Sequence, residues 1–230
     1  MPWLRFRLIA LSLFTLCLST AAWAAEGNPP PELSLVQGRI QEALARMDAA
    51  LAKASLALAR TGLAGAGASR TLQGLCEDQP LAIDCSTIDA RGVMVVVEPA
   101  HFKNVEGADI SEQPQVASIK QYHQPVMSRM FPTVEGMHAV DLERPVLDLD
   151  GGYLGSVSII FDPDKLVERS LKGLEQARGR SFFLVQDNGL LLYHADPRAI
   201  GGFATPPPAR WVTVGLHGTL WRLGMAIPTP

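Results

Sequence analysis

The sequence predicts an α+β protein: one long N-terminal helix, then an antiparallel five-stranded sheet with a helical lid, then a smaller second αβ unit. Three observations predict it. Leu33, Val36, Ile40, Leu44, Met47, Leu51, Ala54 and Leu58 recur at spacings of three and four, the mark of one apolar helix face. Val93-Met94-Val95-Val96-Val97 and Tyr153 to Phe161 read as buried strands, each opened by a turn signal, Asp89-Ala90-Arg91-Gly92 and Asp150-Gly151-Gly152. Between them, Pro99 to Gln124 reads as a loop followed by a helix. A lid of that kind over a sheet face is a natural place for a small-molecule pocket.

Residues 1–24 read as an export signal. Arg5 and Arg7 form a positive start, Leu8 to Leu18 an apolar stretch, and Ala22-Trp23-Ala24 a small-x-small cleavage site. The apolar stretch is short for a spanning helix, which needs about 20 residues. The mature chain is therefore expected to begin at Ala25 and to be periplasmic or secreted. Removing Arg5 and Arg7 leaves 18 Lys+Arg against 23 Asp+Glu. That acidic balance, without a basic patch, argues against nucleic acid as a partner. Cys76 and Cys85 are the cysteines that remain, and in an oxidising compartment two so close in sequence are expected to form a disulfide.

Residues 25–32 form a Pro-rich linker, and residues 33–67 a long helix and a bend at Gly62 to Gly67. The helix from Leu33 to about Arg60 would be about 42 Å long at 1.5 Å per residue. That exceeds what one small domain covers, so either the helix packs on its own domain alone or it also pairs with a second copy as a homodimer. Residues 68–162 follow as the sheet domain: a short helix to Glu77, then strands Cys85–Asp89, Gly92–Glu98, Val126–Phe131, Met137–Leu147 and Tyr153–Phe161. Ser111 is placed to cap the lid helix and Pro125 to end it. Residues 163–230 hold a connecting helix, from Pro163 to about Arg178, and the second unit. Asn188-Gly189 and His217-Gly218 mark its two hairpins.

No motif for catalysis or for a cofactor stands out. Ser128, Ser156 and Ser158 lack the elbow that exposes a nucleophile. The spacing of His101, His123 and His138 fits no metal-ligand motif. No Gly-rich loop enters a helix to cradle phosphate. The chain is not expected to be an enzyme.

Several short motifs together resemble the Cache family, the extracytoplasmic PAS-like sensor domains. They are Ile88-Asp89-x-x-Gly92, Glu98-Pro99, Glu106-Gly107-x-Asp109-Ile110-Ser111-x-Gln113, Pro125-Val126-x-Ser128, Gly155-Ser156-Val157-Ser158 and Phe161-x-Pro163. Val185-x-Asp187-x-Gly189, Asp196-Pro197-x-x-Ile200-Gly201 and Gly218-Thr219-x-Trp221-Arg222-Leu223 resemble the second half of double-Cache sensors. The resemblance covers about residues 33 to 227. It implies a PAS-like pocket domain, a connecting helix and a second PAS-like unit, here trimmed after Ile200-Gly201. No transmembrane helix, kinase or methyl-accepting module follows Ile227. The expectation is therefore an exported binding subunit that signals through a partner, a membrane receptor or kinase.

The pocket is expected where the lid meets the strand after it. His101, Phe102, Asp109, Ser111, Gln113 and Tyr122 lie on the lid, and Ser128, Arg129 and Phe131 on the strand. Asp109 and Ser111 either contact a ligand or satisfy local N–H groups. Arg129 either clamps a ligand carboxylate or points to water. Opposite charges at Asp109 and Arg129 would suit an organic acid or a zwitterion. The Tyr and Arg-x-Trp signature of some amino-acid-binding Cache receptors is absent from Tyr122 to Phe131. Two function classes stay open: a ligand-binding sensor subunit, and an interaction protein that keeps the fold without a small ligand.

Overall fold

The computed structural model describes residues 28–174, 181–203 and 207–227. The export signal, the cleavage site and the expected end of the connecting helix at Arg178 lie outside the described residues. Among the described residues, no helix is long and apolar enough to cross a membrane.

Helix α1 runs Pro31–Thr61. Pro31 sits in its first turn, where a missing N–H costs nothing, with Glu32 at the positive end and Arg60 at the negative end. Gly62, at φ 81°, ends it. Leu33, Val36, Ile40, Leu44, Met47, Leu51 and Leu58 are all at most 1% exposed. The seam is not left for a second copy, because both units of the chain cover it, and all seven residues belong to one continuous core with both sheets. A dimer through α1 would have to use its other face.

Helix α2 (Gly65–Asp78) leads to the first sheet, made of β1 (Ala82–Asp89), β2 (Met94–Glu98), β3 (Val126–Met127), β5 (His138–Leu147) and β6 (Tyr153–Phe161). The order is β2-β1-β6-β5-β3, all antiparallel, with β4 (Phe131–Pro132) paired to β5. The expected strand Val126–Phe131 is thus two short pieces. Between them the chain turns toward the second unit, where the Met130 N–H donates to the Gln186 side chain at 2.8 Å. The lid is a 3-10 turn (Ala100–Val105), a loop, and α3 (Pro114–Tyr122). Ser111 does not cap α3. Gln113 holds the cap position and Pro114 the first turn, while the Ser111 N–H donates to Asp109 Oδ1.

Helix α4 (Pro163–Leu171) is capped by Asp162, which accepts from the Asp164 N–H. Its last helical residue is Leu171; Lys172 turns to ψ 135° and Gly173 follows with a left-handed φ of 76°. The second sheet has β7 (Phe182–Gln186), β8 (Leu191–His194), β9 (Ala209–Leu216) and β10 (Thr219–Ala226) in the order β8-β7-β10-β9. Asp48 of α1 ties the units together: it accepts two bonds from Arg144 of β5 at 2.8 Å and sits 2.8 Å from His217 in the β9–β10 turn.

Cys76 and Cys85 form a disulfide that pins α2 to β1. With its ends only 9 positions apart in sequence, the loop is short. A Cys76→Ser, Cys85→Ser double variant is expected to lose about 2–3 kcal/mol in urea denaturation. An unchanged midpoint would show that packing alone holds α2 in place.

Candidate functional site

On the three central strands the side chains alternate between two covered faces. One face meets α1 and α2 and is apolar. The other lies under the lid and is polar: Asp84 and Ser86 on β1, Ser156 and Ser158 on β6, Asp141 and Glu143 on β5, each at most 4% exposed. The register sets them in rows. Asp84, Ile160 and Asp141 lie abreast, and so do Ser86, Ser158 and Glu143. At about 4.8 Å per strand, Asp84 and Asp141 are about 10 Å apart along their row.

The lid is pinned to β2 by backbone bonds. Met94 N donates to Ala108 O, Gly107 N to Met94 O and Ile110 N to Gly92 O. Gly92 is required where it stands, since a Cβ there would lie 2.6 Å from Ser111. A small cluster of Ile88, Met94, Val97, Val105, Ile110 and Val116 seals the lid onto the sheet.

Between lid, sheet and the β4–β5 turn lies a cavity with about 20 Å³ of room for a bound atom group, inside about 300 Å³ of empty space that reaches solvent. Asp84, Ser86, Asp141 and Ser158 line its floor, Gln113 and Ile110 its lid side, and Phe131, Thr133, Val134 and Glu135 its rim.

The carboxyls on this face and at the cavity are in unequal states. Asp141 accepts from Ser158 Oγ at 2.8 Å, and the Gln115 amide also lowers it, yet burial holds its pKa above the usual range. Glu143 accepts from Ser156, with Oε2 unpartnered; burial and the Asp141 charge push it up. Asp84 is 0% exposed, and neither oxygen has a hydrogen-bond donor among the described residues. Burial pushes its carboxyl up to about 9, with Glu135 and Asp141 adding to the effect. Beside it is the Glu135 carboxyl, whose Oε1 is also buried and unpartnered among the described residues. Only a shared proton or a cation from outside can join two carboxyls.

Of the residues expected at the site, Gln113 and Phe131 line this cavity. Ser128 supports it from behind: its hydroxyl accepts from the Asp141 N–H at 2.8 Å. Phe102 packs into the lid cluster, with the His101 ring against it at 4.2 Å. Asp109 and Ser111 close their own loop, and Tyr122 is 62% exposed. Arg129 points to the second unit and makes a two-bond ion pair with Asp187, at 3.1 and 2.5 Å. Asp84, Glu135 and Asp141 were not anticipated.

A long helix carrying two antiparallel sheet units, the first with a lid over a polar cavity, is the architecture of Cache-type extracellular ligand-binding domains. The chain belongs to the HK/GC/chemotaxis protein-like sensor domain family, whose model matches residues 42–163. An extracellular ligand binding receptor from Desulfohalobium retbaense DSM5692 superposes with a TM-score of 0.77 at 32% identity, over 84% of this chain and 39% of that one. The chain thus spans well under half of that receptor's length. The ligand-binding domain of a Pseudomonas aeruginosa PAO1 amino acid chemoreceptor in complex with GABA matches at TM-score 0.65 and 18% identity, over 85% of this chain and 96% of that one. That of the Pseudomonas fluorescens chemoreceptor CtaA in complex with L-leucine matches at 0.63 and 16%, over 84% and 89%. At those identities the likeness is one of fold. No curated protein matches the chain.

Proposed function

We propose that this chain is an exported, non-catalytic sensor subunit that binds a small polar molecule beneath the lid and reports occupancy to a membrane-bound partner. The observation that carries this reading is the polar sheet face under the lid. Burying the Asp84 carboxyl without a donor, beside a half-buried Glu135, costs stability, and a fold kept only for contact surface has no use for it. Polar groups converging among apolar walls orient a small ligand. Two of the structures named above were solved with GABA or L-leucine bound, which supports a ligand of similar size.

Melting the exported chain against panels of amines, amino acids and organic acids tests it. A ligand present at about 100 times its dissociation constant adds about 2.7 kcal/mol to the folded state. The melting temperature should rise for a narrow chemical class. A flat response across all three panels would turn the reading toward an interaction protein without a small ligand.

A further inference from the structure

On the reading that the cavity beneath the lid is the ligand site, we propose that its ligand is a small organic amine, an ammonium head on a short alkyl chain that carries no carboxylate. The charge of the lining points there. Asp84, Glu135 and Asp141 face the space, and none of the described lining residues is Lys, Arg or His. Arg129, the nearest guanidinium in sequence, is already held by Asp187. GABA and L-leucine bring a carboxylate as well as an amine. In this cavity that carboxylate would meet like charge in a low dielectric with no counter-ion, and such an unbalanced arrangement selects against a partner.

Asp84 makes the feature a receptor and not merely an acidic patch. It is fully buried, lines the cavity, and has no donor on either oxygen among the described residues. An ammonium supplies three N–H donors, enough for Asp84 and Glu135 together. The room of about 20 Å³ holds one group of that size. Beside it, Ile88, Met94 and Phe131 give the methylenes an apolar wall.

Before a ligand enters, Asp84 holds a proton at neutral pH, since its carboxyl is pushed up to about 9. The ionisable groups facing it are Glu135 from the β4–β5 turn and Asp141 from β5; Ile160 from β6 and Ile110 and Gln113 from the lid carry no charge. An ammonium that enters takes the proton's place, and the proton leaves to buffer.

Titration calorimetry of the whole exported chain at neutral pH tests the proposal. The probes are butylamine and 1,4-diaminobutane against GABA, L-alanine and butyrate, each in two buffers of different ionisation enthalpy. The amines should bind with release of a proton, and GABA, L-alanine and butyrate about tenfold more weakly or worse. Asp84→Asn should weaken the amines about tenfold or more. Phe131→Ala should weaken butylamine and leave the proton release in place. If GABA or L-alanine binds as tightly as butylamine and Asp84→Asn still weakens it, the amine class is overturned and the cavity stands as the site. Binding that is unchanged in both variants overturns the cavity reading itself. No heat from either amine at millimolar concentration overturns the amine proposal.

Discussion

Asp84→Asn is expected to melt higher than the parent chain at about pH 8, and the gap is expected to close toward about pH 4. In the folded chain the carboxyl is pushed up to about 9; in the unfolded chain it returns to about 3.9. Between those values the folded state holds a proton that the unfolded state has released. Rising pH therefore favours unfolding across this window, and parental stability falls through it. Asparagine cannot ionise, so the variant loses that slope. Its amide also supplies the donor that the facing Glu135 lacks. The gap should widen by about 1 kcal/mol for each pH unit between about 4 and 8, the scale of one proton held by the folded state alone. Thermal melts of both chains at several pH values check it, and a gap that stays constant with pH would show that Asp84 does not titrate in this window. Stability gained by removing a group that binds ligand is the usual trade at a functional site.

The second large effect is expected at Gly155, in β6 next to the polar face. Its φ is 142°, and a Cβ would lie 2.1 Å from the Ile88 carbonyl oxygen and 2.7 Å from the Leu63 side chain. Neither the sheet partner nor the core behind it can withdraw without breaking β1–β6 pairing, which runs Asp89 opposite Gly155. Gly155→Ala should cost about 3 kcal/mol or more in urea denaturation, from overpacking and backbone strain together. Gly151, in the turn before β6, also has positive φ, but a Cβ there meets open space. Gly151→Ala should cost only about 1 kcal/mol. Equal losses in the two variants would mean that conformation alone, and not the close approach, sets the need for glycine at position 155.

The elements were legible because each has a strong period or a hard stop. The α1 seam repeats at three and four over the whole helix, and all of it is buried. The two hairpins of the second unit lie on Asn188-Gly189 and His217-Gly218. The floor of the site was hidden by the same logic. In Asp84-Cys85-Ser86-Thr87 and Val140-Asp141-Leu142-Glu143 the polar positions alternate with positions that face α1 and α2, and such alternation reads as a strand with one wet face. A lid turns that wet face into an interior, and no local pattern on the strand records what covers it. A signal did exist. The lid was itself expected over the sheet, so polar alternates on central strands beneath it belong to the pocket and not to solvent. Arg129 shows the converse: its pairing with Asp187 spans 58 positions in sequence, and nothing near either residue announces it.

The short stretch from Met127 to Phe131 touches both halves of the molecule within five residues. Phe131 stands at the cavity rim and Ser128 braces Asp141, while Thr219 donates to the Met127 carbonyl, Asp187 holds Arg129 and Gln186 accepts from the Met130 N–H. Close-packed interiors pass on displacement instead of absorbing it. A guest that shifts Phe131 therefore also works against the second sheet. On the proposed function reciprocity would run the message backward: a partner whose grip on the second sheet shifts this stretch would retune the affinity of the first for its guest by the same factor. Sensitivity would in that way belong to the assembled pair, and the isolated chain would report only one setting of it.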